Sequence, residues 1–93
     1  MRRELIRTTA FVRAAKRAVK KSPELANRLS DVLALLAEDA FDPALKSHKL
    51  HGDLEGSWAC TAGYDLRVVF VIVDQGETPS LLLMTIGTHD EVY

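Results

Sequence analysis

Apolar residues along this chain change period near its middle. From residue 11 to residue 21 they recur at spacings of three and four: Phe11, Ala15, Ala18 and Val19 fall on one side, and Arg13, Lys16, Arg17, Lys20 and Lys21 take the remainder. That pattern predicts an amphipathic helix. Thr8 or Thr9 stands ready to cap it, and its terminal lysines suit the negative end of the helix dipole. Ser22-Pro23-Glu24 reads as a restart, with a hydroxyl cap, a proline at the first helical position and an acid in the first turn. Leu25, Leu29, Val32, Leu33 and Leu36 then form a wide apolar stripe through Glu38, a second helix. A connection this short predicts an antiparallel helical hairpin.

Beyond Asp42-Pro43 the pattern becomes that of strands, because the proline ring disfavours helical geometry in the residue before it. Residues 46–50 read as an extended entry, 57–62 as a strand, and 66–73 as a strongly β-branched strand. Residues 74–79 form a turn, and 81–86 the last strand. Residues 4–8 read as a short strand before the first helix. The order is β-α-α-β-β-β, an α+β fold. It packs an N-terminal helical hairpin on one face of a small twisted, mainly antiparallel sheet and leaves the other face partly open.

Composition narrows the picture. A chain of 93 residues that is 47% hydrophobic makes a single domain, residues 1–93, with a modest core. Its one cysteine, Cys60, excludes an internal disulfide and a zinc site built on several cysteines. No apolar run approaches the ~20 residues of a membrane span, so no membrane is expected and the cytoplasm is the expected compartment. The net charge of -1 hides an asymmetry: residues 1–52 hold 11 Lys/Arg against 6 Asp/Glu, and residues 53–93 hold 1 against 7. Two solvated basic helices would account for this. So would a basic surface that meets a polyanion or an acidic protein.

Candidate chemistry lies in the strand half. His48, His51 and His89 sit near breaks in regular structure, and an imidazole gives or takes a proton near neutral pH. Each alone reads first as a surface residue, and their spacing does not suggest a metal site. Arg67 is the only basic residue after Lys49. Alternation puts it on one face with Val69 and Val71, opposite Leu66, Val68 and Phe70. It either pairs with Asp65 or Asp53 or presents its planar fork to a phosphate. Tyr93, Tyr64 and Trp58 have rings on which bases can stack, although a tryptophan in so small a domain reads first as core.

Gly56-Ser57-Trp58, the run from Gly63 through Tyr64, Asp65 and Arg67 to Phe70, and the tail Ile86-Gly87-Thr88-His89-Asp90-Glu91-Val92-Tyr93 resemble the RelE/ParE superfamily of bacterial toxins. Within it, the YafQ-like branch is the most similar. The resemblance covers nearly the whole chain and implies the same β-α-α-β-β-β order. It implies an endoribonuclease that cuts translated mRNA in the ribosomal A site, without metal or cofactor, by attack of the ribose 2′-OH on the adjacent phosphorus. It also implies a cognate antitoxin that holds the toxin in a hetero-oligomer. His89 matches the tail histidine that acts as acid in this branch, and His48 an upstream histidine that serves as base or phosphate contact. Asp65 matches an active-site aspartate, Arg67 the strand arginine of RelE-like members, and Tyr93 a terminal aromatic. Lys46, Lys49 and His51 join Tyr93 as expected RNA contacts. The chain departs from the pattern at Thr85, where active members carry an arginine, and at Ala59, Cys60 and Thr61, where a second strand histidine is expected. The same superfamily includes ParE-like toxins that poison DNA gyrase by binding, and a non-catalytic RNA- or protein-binding module would fit the same fold.

Overall fold

The computed structural model of the chain describes residues 1–63 and 65–92. The element order is β1 (Glu4–Arg7), α1 (Thr9–Lys21), α2 (Leu25–Glu38), β2 (His48–Lys49), β3 (Trp58–Thr61), β4 (Leu66–Val73), β5 (Ser80–Thr88) and α3 (His89–Val92), with single 3-10 turns at Pro43–Leu45 and Gly52–Leu54. The expected α+β order is present. Two features go beyond it: the extended entry contributes a strand of its own, β2, and the tail closes in a short helix.

The five strands lie in the order β1-β5-β4-β3-β2. β2 through β5 pair antiparallel in sequence, and β1 runs parallel to β5 along the far edge. Phe11, Ala14, Leu29, Leu33 and Leu36 from the helices meet Cys60, Val68, Phe70, Leu81, Leu83 and Ile86 from the sheet in the main core. The opposite face carries a smaller cluster of Leu50, Ala59, Val69 and Val92, with Met84 against it. That face is therefore covered in part by the chain's own tail.

An irregularity in β5 decides which residues face which way. Val69 pairs with Thr85 and Phe70 with Leu83, so Met84 is an extra residue in a β-bulge. A bulge shifts the alternation by one, which is why both Leu83 and Ile86 reach the main core. Thr8 binds this bulge. Its hydroxyl donates to the Leu83 carbonyl at 2.8 Å, with the Met84 carbonyl at 3.2 Å, while its oxygen accepts the Phe11 N–H at 3.1 Å and caps α1. Thr8→Val keeps the shape and removes these bonds, and is expected to cost ~1–2 kcal/mol. Urea unfolding should show a lower midpoint at an unchanged slope.

The start of α2 differs from the sequence expectation. Ser22 closes α1, its N–H donating to the Ala18 carbonyl. Pro23 and Glu24 form a turn held by the Leu25 N–H on the Ser22 carbonyl at 2.9 Å, so α2 begins only at Leu25 and has no side-chain cap. The turn takes the residues that the cap would have used.

Two further contacts tie the ends of the sheet. Arg3 grips Asp74 with Nε on Oδ1 at 3.0 Å and Nη2 on Oδ2 at 2.9 Å, and the guanidinium holds the Asp74 carboxyl below the usual carboxylate range. Phe41 and Trp58 meet edge to face with centroids 5.0 Å apart. Cys60 is fully buried, and burial pushes its thiol up to about 12. Because the thiolate is the reactive form, Cys60 should resist a disulfide reagent such as DTNB in the native protein and react fully once unfolded in denaturant.

Candidate active site

Register places several sequence candidates on the face opposite the helices. His48 pairs with Ala59, Ala59 with Val69, and Val69 with Thr85, which makes one row across four strands. Thr61, Arg67 and Gly87 form a second row, two residues along. Strand spacing and rise put the His48 and Arg67 Cα atoms about 12 Å apart. The two side chains share one face, and Ala59 and Val69 of the His48 row are buried there beneath Val92. Thr85 sits at the end of the His48 row and offers only a hydroxyl there.

His89 starts α3, directly after β5. Its N–H donates to the Asp65 carbonyl at 3.2 Å and to Asp65 Oδ1 at 3.3 Å. The Asp65 carboxylate thus holds the tail's main chain rather than projecting alone into solvent. His89 Nδ1 lies 3.6 Å from Asp90 Oδ1, and the imidazole is 55% exposed. From there α3 crosses the face, and Val92 buries itself among Leu50, Ala59 and Val69.

An open cleft of about 790 Å³ lies between this helix and the β2 segment, lined by His48, Lys49, Leu50 and His51 on one side and Asp90, Glu91 and Val92 on the other. Lys46 takes the left-handed conformation, φ 51°, at the corner before β2. That turn brings its carbonyl to 3.0 Å from His48 Nδ1. A carbonyl only accepts, so Nδ1 carries the proton and the lone pair of the neutral ring is on Nε2. Lys49 stands over the Trp58 ring at 5.6 Å, and Arg67 Nη1 donates to the Leu66 carbonyl at 3.1 Å.

The candidates therefore fall into three groups. His48, Lys49 and His51 line the cleft, His89 is tied to Asp65 through its main chain, and Arg67 lies on the sheet between them. Tyr93 and Tyr64 lie outside the described residues. Among the described residues no three of His, Cys, Asp and Glu cluster in a way that could hold a metal ion, and no helix is long and apolar enough to cross a membrane.

Sequence reasoning passed over Thr88 and Glu91. The Thr88 N–H donates to Glu91 Oε1 at 2.8 Å, and the Glu91 N–H donates to Thr88 Oγ1 at 3.3 Å, which is a capping box. Its signature, Thr-x-x-Glu, stands in the sequence at residues 88–91. It is easily missed because no apolar helical run follows it.

Comparison with known proteins identifies the fold and the family. Against curated protein sequences the chain has no significant match. Solved structures of the same shape exist: YafQ from E. coli, 18% identical with a TM-score of 0.78, covers 99% of each chain. YafQ in the E. coli DinJ–YafQ complex, 20% identical with a TM-score of 0.77, also covers 99% of each. A YoeB/ParE toxin from Agrobacterium tumefaciens, 17% identical with a TM-score of 0.76, covers 92% of this chain and 98% of its own. At those identities the likeness establishes the fold. The family model described as the bacterial toxin of type II toxin–antitoxin system, YafQ, matches residues 3–93. Because that match spans nearly the whole sequence, the chain belongs to the YafQ family of bacterial toxins of type II toxin–antitoxin systems.

Proposed function

We propose that this toxin is a ribosome-dependent endoribonuclease that cuts translated mRNA. The observation that carries the reading is the sharing of one sheet face by His48 and Arg67, with His89 anchored at its rim by Asp65. Cleavage by the neighbouring 2′-OH needs a base for that hydroxyl, an acid for the departing 5′-oxygen, and positive charge beside the phosphorane. The 2′-oxygen bonds to phosphorus and the P–O5′ bond breaks, which leaves a 2′,3′-cyclic phosphate and a free 5′-OH.

His48 fits the base, since its Nδ1 bond to the Lys46 carbonyl directs the lone pair to Nε2. His89 is the acid. Arg67 supplies a planar cation on the same face, and Asp65 fixes where the acid stands. Lys46, Lys49, His51 and Tyr93 contact the RNA. With Thr85 in place of an arginine the site has one cation fewer, and orientation by the ribosome carries more of the rate.

A cognate antitoxin completes the module, as DinJ accompanies YafQ in the E. coli complex. The toxin acts in the cytoplasm, where messages are translated. Primer extension on a reporter mRNA in a cell-free translation system tests the proposal. Cuts within codons that require translating ribosomes are the expected result. Growth arrest with an intact message would instead assign the protein to the gyrase-binding type of toxin.

A further inference from the structure

We propose that Thr88 and Glu91 are positioning residues for the tail imidazole: their reciprocal bonds fix the first turn of α3 and thereby the direction in which His89 leaves the sheet. The inference rests on the nuclease reading of this site. It starts from a physical difficulty. A helix of four residues has no stability of its own, because nucleation costs more than one turn returns. Something else must hold His89 in place.

Among the described residues, three restraints besides the burial of Val92 contribute, and His89 lies between them. The capping box closes the turn, with the Thr88 N–H on Glu91 Oε1 at 2.8 Å and the Glu91 N–H on Thr88 Oγ1 at 3.3 Å. Asp65 holds the His89 N–H from β4. Gly87 lets the helix fold back closely, since a Cβ there would stand 3.2 Å from both Glu91 Cβ and Val92 Cγ2. Of these, the box is the one that joins the two sides of His89 by hydrogen bonds. Bonds from the Thr88 backbone and side chain keep the Glu91 carboxyl below the ordinary glutamate range, with Arg17 and Lys21 of α1 adding to the effect. Those two cations line a pocket of about 420 Å³ that Thr88 and Glu91 help to close. A lowered folded value means that the contribution is fully present above the unfolded value and is lost as pH falls through the lowered one. At neutral pH the box is closed.

The test compares Glu91→Ala, Glu91→Gln and His89→Ala with the wild type in ribosome-dependent cleavage. The rate at saturating programmed ribosomes is read separately from the concentration giving half that rate. Amide exchange at Thr88 and Glu91 is followed in the isolated toxin. Glu91→Ala should lower the saturating rate by roughly 10- to 100-fold, the scale of a misplacement near 1 Å, with half-saturation unchanged and exchange protection lost at the Thr88 amide, whose acceptor is removed. Glu91→Gln, which can still accept the Thr88 N–H, should restore rate and protection to within a few fold. A Gln variant as slow as the Ala variant would overturn the proposal by showing that charge matters rather than the box, as would protection of the Thr88 amide retained in Glu91→Ala. If His89→Ala is inactive and Glu91→Ala cleaves at the wild-type rate, positioning alone fails. If His89→Ala cleaves normally, the catalytic reading fails and positioning falls with it.

Discussion

Replacing His89 by Ala is expected to lower cleavage of translated mRNA by roughly 100- to 10,000-fold, the usual contribution of one positioned acid or base. That corresponds to ~2.7–5.4 kcal/mol of barrier at ~1.36 kcal/mol per tenfold change. The loss should come without unfolding. The imidazole is more than half exposed, the N–H that binds Asp65 belongs to the main chain and survives the substitution, and changes at exposed positions usually stay within ~0.5 kcal/mol. Single-turnover cleavage paired with a thermal melt checks both statements. A variant that melts like the wild type and no longer cuts places His89 in the chemistry. One that melts like the wild type and still cuts removes it.

Phe70→Ala carries the largest expected effect on stability, ~3–5 kcal/mol, as for other buried aromatic truncations. Phe70 is fully buried, pairs with Trp58 on β3 and Leu83 on β5, and sits beside the bulge. Its ring fills the space between the middle of the sheet and the helices, and neither neighbouring strand can close inward without breaking its own ladder. Small domains have ~5–15 kcal/mol in all, so the variant should be near the limit of folding. At ~4–8 °C per kcal/mol for a domain of this size, its melting temperature should fall by about 12 °C or more. A fall of only a few degrees would mean that the core repacks around the gap.

Much of the architecture was legible in the sequence because short-range physics dictates it. The stripe from Leu25 to Leu36 has one period and one burial solution, and the β-branched run from Leu66 to Val73 has another. Both elements appear where the pattern puts them. Ser22 shows where such reading stops. A hydroxyl before a proline fits the end of one helix as well as the start of the next, and only the packing of α1 and α2 on the sheet chooses between them. β1 is similar: residues 4–8 read as extended, but their parallel partner lies at the other end of the chain, beyond any local signal.

The candidate site divides along the same line. His48, His51, Arg67 and His89 were visible as types of residue able to do proton and phosphate chemistry, and the family resemblance assigned them roles. Asp65 was visible too, although not its grip on the main chain of His89. Thr88 and Glu91 were hidden in plain letters, because a capping box attracts notice only when a long helix follows it.

Taken alone, the sequence determined the period of each segment, the charge imbalance between the halves and the chemical types on offer. These depend on neighbours within a few residues, whose geometry each segment's own period sets. The tertiary structure decided which face each type occupies. In the apolar run of β5, Leu81, Leu82, Leu83, Met84 and Ile86 carry no alternation to set a phase. The bulge at Met84, held by Thr8 from the other end of the chain, sends Ile86 into the core and Gly87 to the face it shares with Arg67. From that placement follow the turn of α3 across the sheet and the position of His89. A strand's face depends on pairing with distant partners, and pairing is a property of the folded chain.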